Sequence, residues 1–210
     1  MIARGLSGAT RGVVMLHGRG GSAADILSLM DHAGLPQVAA VAPEAPDNSW
    51  WPSSFLAPSA QMEPFVQRGL AAVTDGVAAL EQAGLARSQI WLCGFSQGAC
   101  LALEAYARTG DGLAGVFALS GGLVGTDDQG DVTPALYGHG DKRLDYAGHR
   151  TGQVWISVHA RDPHIPLRRV EDSAAALRAL GARVEAKVYP GAGHAVMRDD
   201  IVALRRYLNG

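Results

Sequence analysis

A serine between two glycines, in the segment IWLCGFSQGAC at positions 90–100, is the first candidate for chemistry in this chain. An apolar run precedes the motif GFSQG, which holds Ser96, and a run typical of a helix follows it. This pattern predicts a strand, a sharp turn that presents the hydroxyl outward, and a helix whose N-terminus favours negative charge on an attacked carbonyl oxygen. The alternative is an ordinary turn in which Ser96 only caps the helix.

A serine hydroxyl is a weak nucleophile at neutral pH, so it needs a histidine base and an acid that orients the base. In a parallel sheet such groups lie at the carboxyl ends of strands, in the expected chain order serine, acid, histidine. His194 lies in the turn GAGH after one predicted strand, and Asp162 comes at the end of another, VWISVHA. We predict these two residues as base and acid. The alternatives are a surface histidine and an Asp-Pro turn, with Asp141 and Asp145 as competing acids.

The segment HGRGG, after the first confidently assigned strand, is a candidate for binding a negatively charged oxygen. Glycines let main-chain N–H groups turn toward such an oxygen, and we predict that the N–H groups of Arg19 and Gln97 form this oxyanion hole. The Arg19 side chain is expected to be solvated or to contact a substrate anion. The alternative for the whole segment is a plain tight turn.

Aromatic side chains are concentrated in the irregular segment 43–61, which is rich in Pro, Ser and Trp. Trp50 and Trp51 cannot both point inward on a regular element. We therefore interpret them, with Phe55, as an apolar wall for an acyl or aromatic group, and His164 as a further lining residue. The alternative is that the tryptophans fasten the segment to the core.

Strand and helix signals alternate along the chain, which predicts an α/β fold with a mostly parallel central sheet and helices on both faces. Without a repeat or a linker, positions 1–210 are predicted to form one domain. Segment 123–152, rich in Gly and Asp, is expected to be a second irregular segment. The predicted strands cover 12–16, 38–42, 90–93, 115–119, 154–159 and 183–189; the predicted helices cover 23–32, 62–83, 99–108, 167–180 and 196–208.

Composition argues against several classes of partner. The net charge is −2 and no basic run is present, so we expect no nucleic-acid partner. No apolar stretch reaches the roughly 18 residues of a membrane span, and no signal peptide is recognised. Cys93 and Cys100 are predicted to be packed free thiols, which indicates a cytoplasmic location. We expect no metal; a metal site built from His139, Asp141, His149 or His164 is the alternative.

Taken together and in order, the motifs LHGRGGSAADIL, WWPSSF, GFSQGA, DPHIP and GAGH resemble the small carboxylesterase/phospholipase branch of the α/β-hydrolases. Relatives of that branch include the acyl-protein thioesterases and, more distantly, the dienelactone hydrolases. The resemblance runs from about position 12 to 208. It implies a serine hydrolase without metal or organic cofactor, with Ser96, Asp162 and His194 as the triad and the Arg19 and Gln97 amides as the oxyanion hole.

The chain also departs from these relatives. It begins almost at the first core strand, so we expect a reduced N-terminus, and no large lid insertion is visible. A serine stands where the dienelactone hydrolases use cysteine, and the tryptophan loop is not that of acyl-protein thioesterases. DPHIP and WWP are closer to bacterial esterases associated with aromatic or quinone stress.

The expected reaction is cleavage of small carboxylic esters with short to medium acyl chains, through an acyl-enzyme on Ser96. The alternatives are an acyl thioesterase or lysophospholipase on the same triad, and a non-catalytic binding protein on a hydrolase fold. The oligomeric state stays open, with a homodimer as one alternative because relatives often form dimers.

Overall fold

The structure, a computed structural model, describes residues 1–209. Within that range it contains five α-helices, α1 to α5, at Ala23–Ala33, Ser59–Gln82, Gln97–Thr109, Leu167–Ala179 and Arg198–Leu208. Its strands, β1 to β9 in chain order, are Ile2–Arg4, Gly12–Leu16, Ala39–Ala42, Ile90–Phe95, Gly115–Leu119, Asp127–Val132, Gly140–Arg143, Gln153–Arg161 and Arg183–Ala192.

Seven of these strands form the central sheet, in the order β1-β3-β2-β4-β5-β8-β9. β1 pairs antiparallel with β3, and every other neighbouring pair is parallel. Short apolar strands such as β2 and β5 are buried along their whole length, as expected for a parallel sheet covered on both faces. Because the parallel strands end at one edge, the segments after β2, β4 and β8 meet there.

Helices cover both faces of the sheet, so the prediction of an α/β fold with a mostly parallel sheet is confirmed. Alternate residues of a strand point to opposite faces, so Val14 joins the core under α2, α3 and α4, whereas Val13 joins the core under α1 and α5. The two cores fix the sheet between helical layers and hold its carboxyl edge in place.

The start of α1 follows the capping pattern that the sequence predicts. The Asp25 N–H donates to Ser22 Oγ at 3.2 Å, and the Ser22 N–H donates to the Asp25 carboxylate at 2.9 Å. This reciprocal pair satisfies two N–H groups that the first helical turn leaves free. It also fixes where the chain leaves the turn after β2.

Two stretches differ from the sequence expectation. Residues Ile2–Arg4 form a short edge strand, so the reduced N-terminus still contributes β1 to the sheet. Segment 123–152 is not wholly irregular, because β6 and β7 pair antiparallel as a separate two-stranded hairpin. Every β6 residue is exposed, and such a strand lacks the alternating apolar pattern by which strands are recognised. No helical lid lies between β5 and β8 in the part of the chain that is described.

Candidate active site

Ser96 occupies a strained turn between the central strand β4 and helix α3. Its backbone has φ 54° and ψ −118°, which a residue with a Cβ rarely adopts. A Cβ on Gly94 would lie 2.1 Å from the Gly98 carbonyl oxygen, and a Cβ on Gly98 would lie 2.1 Å from the Leu16 carbonyl oxygen. The glycines of the motif therefore allow the turn to pack. The Ser96 side chain makes no capping hydrogen bond, contrary to the simple N-cap alternative.

The structure brings Ser96, His194 and Asp162 together from three different connections. Ser96 Oγ lies 2.7 Å from His194 Nε2, and His194 Nδ1 lies 2.8 Å from Asp162 Oδ2. The other carboxylate oxygen of Asp162 accepts the main-chain N–H groups of His164 at 2.9 Å and Ile165 at 3.0 Å. A continuous hydrogen-bonded line thus runs from the serine hydroxyl to a carboxylate that the following loop holds in place.

The environment of Asp162 keeps its carboxyl group ionised. Burial of the side chain acts to raise its pKa, but the hydrogen bond to His194 and those from the two loop amides outweigh this effect. The pKa of Asp162 is therefore lower than usual. An ionised, fully buried carboxylate is suited to orient an imidazole ring and to stabilise its protonated form.

Packing against two rings fixes the plane of the His194 imidazole. The Phe95 ring lies 5.1 Å from it, centroid to centroid. The His164 ring meets it nearly edge-on, at 4.9 Å and an interplanar angle of 78°. Since an imidazole can accept a proton from Ser96 only along its ring plane, these contacts help to position the ring for that transfer.

Arg19 and Gln97, the predicted donors of the oxyanion hole, both line the cavity that contains Ser96. Gln97 is the first residue of α3, where a main-chain N–H has no intrahelical acceptor. Arg19 lies in the tight turn after β2, within which the Gly21 N–H donates to the Gly18 carbonyl at 3.1 Å. The two turns are thus adjacent at the carboxyl edge of the sheet, as an oxyanion hole requires.

The side chains of these same two residues have a role that the sequence does not reveal. The Gln97 amide accepts the Trp50 N–H at 2.8 Å and donates to the Trp51 carbonyl at 2.7 Å. The Arg19 guanidinium donates to the carbonyls of Pro52, at 2.8 Å, and of Ser53. The Arg19 side chain is exposed, as expected of a solvated arginine, and through these two hydrogen bonds it also holds the tryptophan segment.

A cavity of about 570 Å³ opens over Ser96. Trp51, Phe55 and His164 line it, as the sequence interpretation expects. Trp50 does not line it: its indole N–H donates to the His17 carbonyl at 2.9 Å, so this side chain fastens the segment to the core. The interpretation as a cavity wall therefore holds for Trp51, and the alternative, fastening to the core, holds for Trp50.

The opposite side of the cavity contains residues that sequence reasoning missed. Tyr137 and His139, from the connection between β6 and β7, line it. The Tyr137 hydroxyl donates to the main-chain carbonyl of Asp162. The sequence carries little signal for this wall, because its residues lie in a Gly- and Asp-rich segment with no apolar periodicity.

Cys100 is a further side chain of nucleophilic type that lines the cavity. It is fully buried on α3, and burial raises the pKa of its thiol to about 12. A thiol in this environment stays protonated at neutral pH and is a poor nucleophile. Within the same cavity, the geometry favours Ser96 as the reactive group.

Residues 1–209 contain neither a cluster of metal-binding side chains nor a membrane-spanning helix. Nowhere in that range do three His, Cys, Asp or Glu side chains come together as a group that could hold a metal ion. Over the same residues, each helix is too short or too polar to cross a membrane.

The fold and the serine turn define the class: the protein has an α/β-hydrolase fold. Residues 1–142 match the family model described as Phospholipase/Carboxylesterase. A solved phospholipase/carboxylesterase from Dyadobacter fermentans is 39% identical over 100% of this chain and 95% of its own, with a TM-score of 0.85. The chain belongs to the phospholipase/carboxylesterase family, and it is a hydrolase of the carboxylesterase, phospholipase and thioesterase type.

Two other relatives extend the comparison. The solved esterase PE8 is 25% identical over 98% of this chain and 95% of its own, with a TM-score of 0.73. An acyl-protein thioesterase 1 from Gibberella zeae is 28% identical over 134 residues, which is 60% of this chain. The chain spans about half the length of that curated relative, since the match covers 49% of it.

Proposed function

We propose that this protein hydrolyses small carboxylic esters with short to medium acyl chains, through an acyl-enzyme on Ser96. The observation that carries the proposal is the unbroken line of hydrogen bonds from Ser96 Oγ through His194 to Asp162, at 2.7 Å and 2.8 Å. The position of the first two residues supports the same conclusion, because Ser96 and His194 both line a cavity that also has aromatic lining residues. Membership of an esterase family supports the class of reaction.

The first half of the reaction acylates the serine. His194 Nε2 takes the hydroxyl proton as Ser96 Oγ attacks the ester carbonyl, and Asp162 Oδ2 accepts the Nδ1–H of the resulting imidazolium. The main-chain N–H groups of Arg19 and Gln97 donate to the oxyanion that forms. When the carbon–oxygen bond to the alcohol breaks, His194 Nε2 returns its proton to the leaving alkoxide.

The second half releases the acid. A water molecule takes the place of the alcohol and gives a proton to His194 Nε2 as its oxygen attacks the acyl carbon. The same two N–H groups stabilise the second tetrahedral intermediate. Its collapse breaks the bond to Ser96 Oγ, which recovers the proton from His194. The carboxylic acid leaves, and the enzyme regains its starting protonation.

The walls of the cavity are the basis for the proposed substrate range. Trp51 and Phe55 provide an apolar surface, and the cavity volume of about 570 Å³ lies within the range of roughly 300–1,000 Å³ usual for small-molecule sites. His164 is the polar residue that we propose to contact the substrate beside the triad. Trp50 is not part of this proposal, because its ring is buried away from the cavity.

Thioester cleavage on the same triad is the second candidate. It is favoured by the match to the acyl-protein thioesterase 1 of Gibberella zeae over 134 residues. A thioester places its carbonyl carbon and oxyanion where an ester does, so the geometry serves both reactions. Measuring kcat/KM for a butyryl oxygen ester and a butyryl thioester with matched leaving groups separates them: the proposal expects the oxygen ester to have the higher value.

Replacement of the nucleophile tests the proposal. In Ser96→Ala, kcat for p-nitrophenyl butyrate should fall by about 10⁴- to 10⁶-fold, leaving the residual rate of binding and the oxyanion hole. The matched control is Ser28→Ala, which removes a partly buried hydroxyl of α1 that donates to the Asp25 carbonyl and does not line this cavity, and it should leave kcat unchanged. Ser96→Ala with near wild-type turnover and a normal melting temperature would overturn the proposal.

We also propose a cytoplasmic location, which the two free, buried cysteines Cys93 and Cys100 support. The single-domain organisation of positions 1–210 and the homodimer stay predictions. Limited proteolysis tests the first, and light scattering on the purified full chain tests the second.

A further inference from the structure

A second, smaller cavity lies beside the cavity over Ser96, next to helix α1. Its volume is about 200 Å³. Gly18, Arg19 and Phe95 line both cavities, so the two are neighbours across the turn after β2. We call the smaller cavity the α1 pocket; the residues that line it but not the cavity over Ser96 are His17, Gly21, Asp25, Ile26, Leu29 and Val196. The reaction steps proposed for Ser96 assign it no role.

The α1 pocket comes close to the nucleophile at Gly18. A Cβ placed on Gly18 would lie 3.4 Å from Ser96 Cβ and 3.2 Å from the Phe95 ring. A side chain at position 18 would therefore crowd the space beside both residues, and glycine leaves that space free. Gly18 is thus a shared boundary between the pocket and the reacting residue.

The α1 pocket also borders the proposed base, His194. The Phe95 ring, whose centroid lies 5.1 Å from that of the His194 ring, forms part of the pocket lining. Val196, two residues after His194, forms another part. This position matters because the departing alcohol takes its proton from His194 Nε2, so its oxygen must lie beside that ring. The pocket is therefore next to the place where the alcohol departs.

The lining of the α1 pocket is largely apolar. Its hydrocarbon side chains are those of Ile26, Leu29, Phe95 and Val196. Leu29 and Val196 are half-buried, so part of their surface is open to a guest molecule. An apolar guest removes this surface and its own from water, which stabilises the complex. The pocket therefore favours an alkyl or aryl group.

The polar side chains at the α1 pocket have partners within the chain. The Asp25 carboxylate accepts the Ser22 N–H at 2.9 Å and the Ser22 hydroxyl at 2.7 Å. The Arg19 guanidinium donates to the main-chain carbonyls of positions 52–53, and both ring nitrogens of His17 are hydrogen-bonded to the main chain. Since these three side chains are paired, the hydrocarbon part of a molecule suits the pocket better than an ion does.

The two apolar surfaces around Ser96 belong to opposite faces of the sheet. Trp51 and Phe55, which line the cavity over Ser96, are part of the core under α2, α3 and α4. Ile26 and Val196, which line the α1 pocket, pack with the core under α1 and α5. The acyl group and the alcohol of an ester diverge from its carbonyl carbon. An ester whose carbonyl lies at Ser96 can therefore place one end on each surface.

We propose that the α1 pocket binds the hydrocarbon part of the leaving alcohol, while the acyl group lies against Trp51 and Phe55. This inference rests on the function proposed for Ser96, because only the cleavage of an ester releases an alcohol. It adds a substrate class, namely esters whose alcohol carries an apolar chain, such as a butyl group. Leu29 and Val196 are then residues that determine specificity for the alcohol.

Hydrolysis of ethyl, butyl and hexyl butyrate by the full chain tests this proposal. The three alcohols have nearly equal acidity, so differences in kcat/KM report contacts of the alkyl chain rather than the reactivity of the leaving group. Burial of two additional CH₂ groups should make kcat/KM about tenfold higher for the butyl ester than for the ethyl ester. Equal values for these two esters in the wild type would overturn the proposal.

Two variants of Leu29 change the volume of the α1 pocket in opposite directions. Leu29→Trp should remove the preference for the butyl ester, because the larger ring takes the space of the alkyl chain. Leu29→Ala enlarges the pocket and should move the highest kcat/KM from the butyl to the hexyl ester. Ala24→Trp adds the same ring at an exposed position of α1 that does not line the pocket, and as the matched control it should keep the wild-type preference.

A series of ethyl esters with acyl chains from acetyl to octanoyl separates the two apolar surfaces. Leu29→Trp should show the same dependence of kcat/KM on acyl length as the wild type. A changed acyl preference, or a butyl preference that survives in both Leu29 variants, would overturn the proposal. Either result leaves ester hydrolysis on Ser96 in place, whereas absence of hydrolysis of every ester would overturn both proposals.

Discussion

The cavity over Ser96 has two walls that are built in different ways. On one side, the tryptophan segment, residues 49–56, is anchored by buried side chains, since Trp50 and Trp51 are 3 % and 1 % exposed. Its main chain is held by the side chains of Gln97 and Arg19. On the other side lies the β6–β7 hairpin, residues 127–143, in which every β6 residue is exposed, and Tyr137 ties the hairpin to Asp162 by one hydrogen bond to its main-chain carbonyl.

This difference suggests that one wall affects the reaction rate and the other affects the preference for substrate size. Arg19 and Gln97 are proposed to stabilise the oxyanion through their main-chain N–H groups while their side chains hold the tryptophan segment. That wall and the oxyanion hole therefore form one unit, and loosening the wall should reduce the rate. The hairpin is linked to the catalytic residues at a single point, so changes in it should alter substrate size preference more than rate.

The largest effect is expected between the walls, in the triad itself. Asp162→Asn keeps the size of the side chain but favours the wrong tautomer of His194, and kcat should fall by about 10⁴-fold. Steady-state hydrolysis of p-nitrophenyl butyrate measures it. Asp145→Asn, an acid on the hairpin side, is the control and should stay within about twofold, since exposed surface changes have small effects. A fall in kcat of less than tenfold in Asp162→Asn would show that Asp162 is not the acid that orients His194.

Gln97→Ala tests the tightly held wall. The variant keeps the main-chain N–H of the oxyanion hole but leaves the Trp50 N–H and the Trp51 carbonyl without their partner. Each unpaired buried group costs about 1–3 kcal/mol, so the free energy of unfolding should fall by that order. We also expect kcat to fall about tenfold, because about 1.4 kcal/mol lost from the transition state has that effect.

Gln97→Glu is the matched variant for this wall. Its carboxylate still accepts the Trp50 N–H but has no proton to donate to the Trp51 carbonyl, and it buries a negative charge beside that carbonyl oxygen, so Gln97→Glu should be at least as destabilised as Gln97→Ala. Urea unfolding and kcat are measured on all three proteins. Unchanged kcat in a clearly destabilised Gln97→Ala would show that wall and oxyanion hole are independent.

Tyr137→Phe tests the hairpin wall with a smaller expected effect. The variant keeps the ring and removes only the hydrogen bond to Asp162, which is worth about 0.5–1.5 kcal/mol. We expect kcat for an acetyl ester to change less than about threefold, because a side chain outside the triad is altered. KM for octanoyl and bulkier esters should change more. A profile of kcat and KM against acyl length measures this, and a uniform loss of kcat at all lengths would contradict the proposed division.

The smallest effect is expected at Cys100, which shares the cavity with Ser96. Because burial raises the pKa of its thiol to about 12, the group stays protonated at pH 8, and iodoacetamide should leave ester hydrolysis unchanged. Mass spectrometry should find both cysteines of the chain alkylated only after unfolding. Rapid inactivation with alkylation of Cys100 in the folded protein would show that the cavity floor is more open than this structure.

The sequence predicted that Ser96, Asp162 and His194 come together because their positions follow from chain order. Ser96, Asp162 and His194 each lie where a predicted parallel strand ends, and parallel strands place those ends at one edge. Their contact thus depends only on the strands being assigned correctly. The same reasoning places the turn containing Arg19 beside them, since it follows β2, a direct neighbour of β4 in the sheet.

The walls were harder to predict because they lack a repeating pattern. Adjacency of Trp50 and Trp51 shows that they differ in direction, but not which of them faces the cavity. Tyr137 and His139 reach the cavity from a hairpin whose first strand is exposed. An exposed strand has no alternating apolar pattern, so the sequence does not show where these residues lie. The side chains of Gln97 and Arg19 bind main-chain atoms of a distant segment, and such contacts depend on tertiary structure alone.

The account rests on Ser96 as the nucleophile, and a fluorophosphonate probe tests this most directly. The probe should react with one equivalent of folded protein, peptide mapping should place the adduct on Ser96, and ester hydrolysis should decline in proportion to labelling. Ser96→Ala should not react. Absence of labelling in a well-folded sample, or an adduct on another residue with activity lost in parallel, would contradict the proposed mechanism.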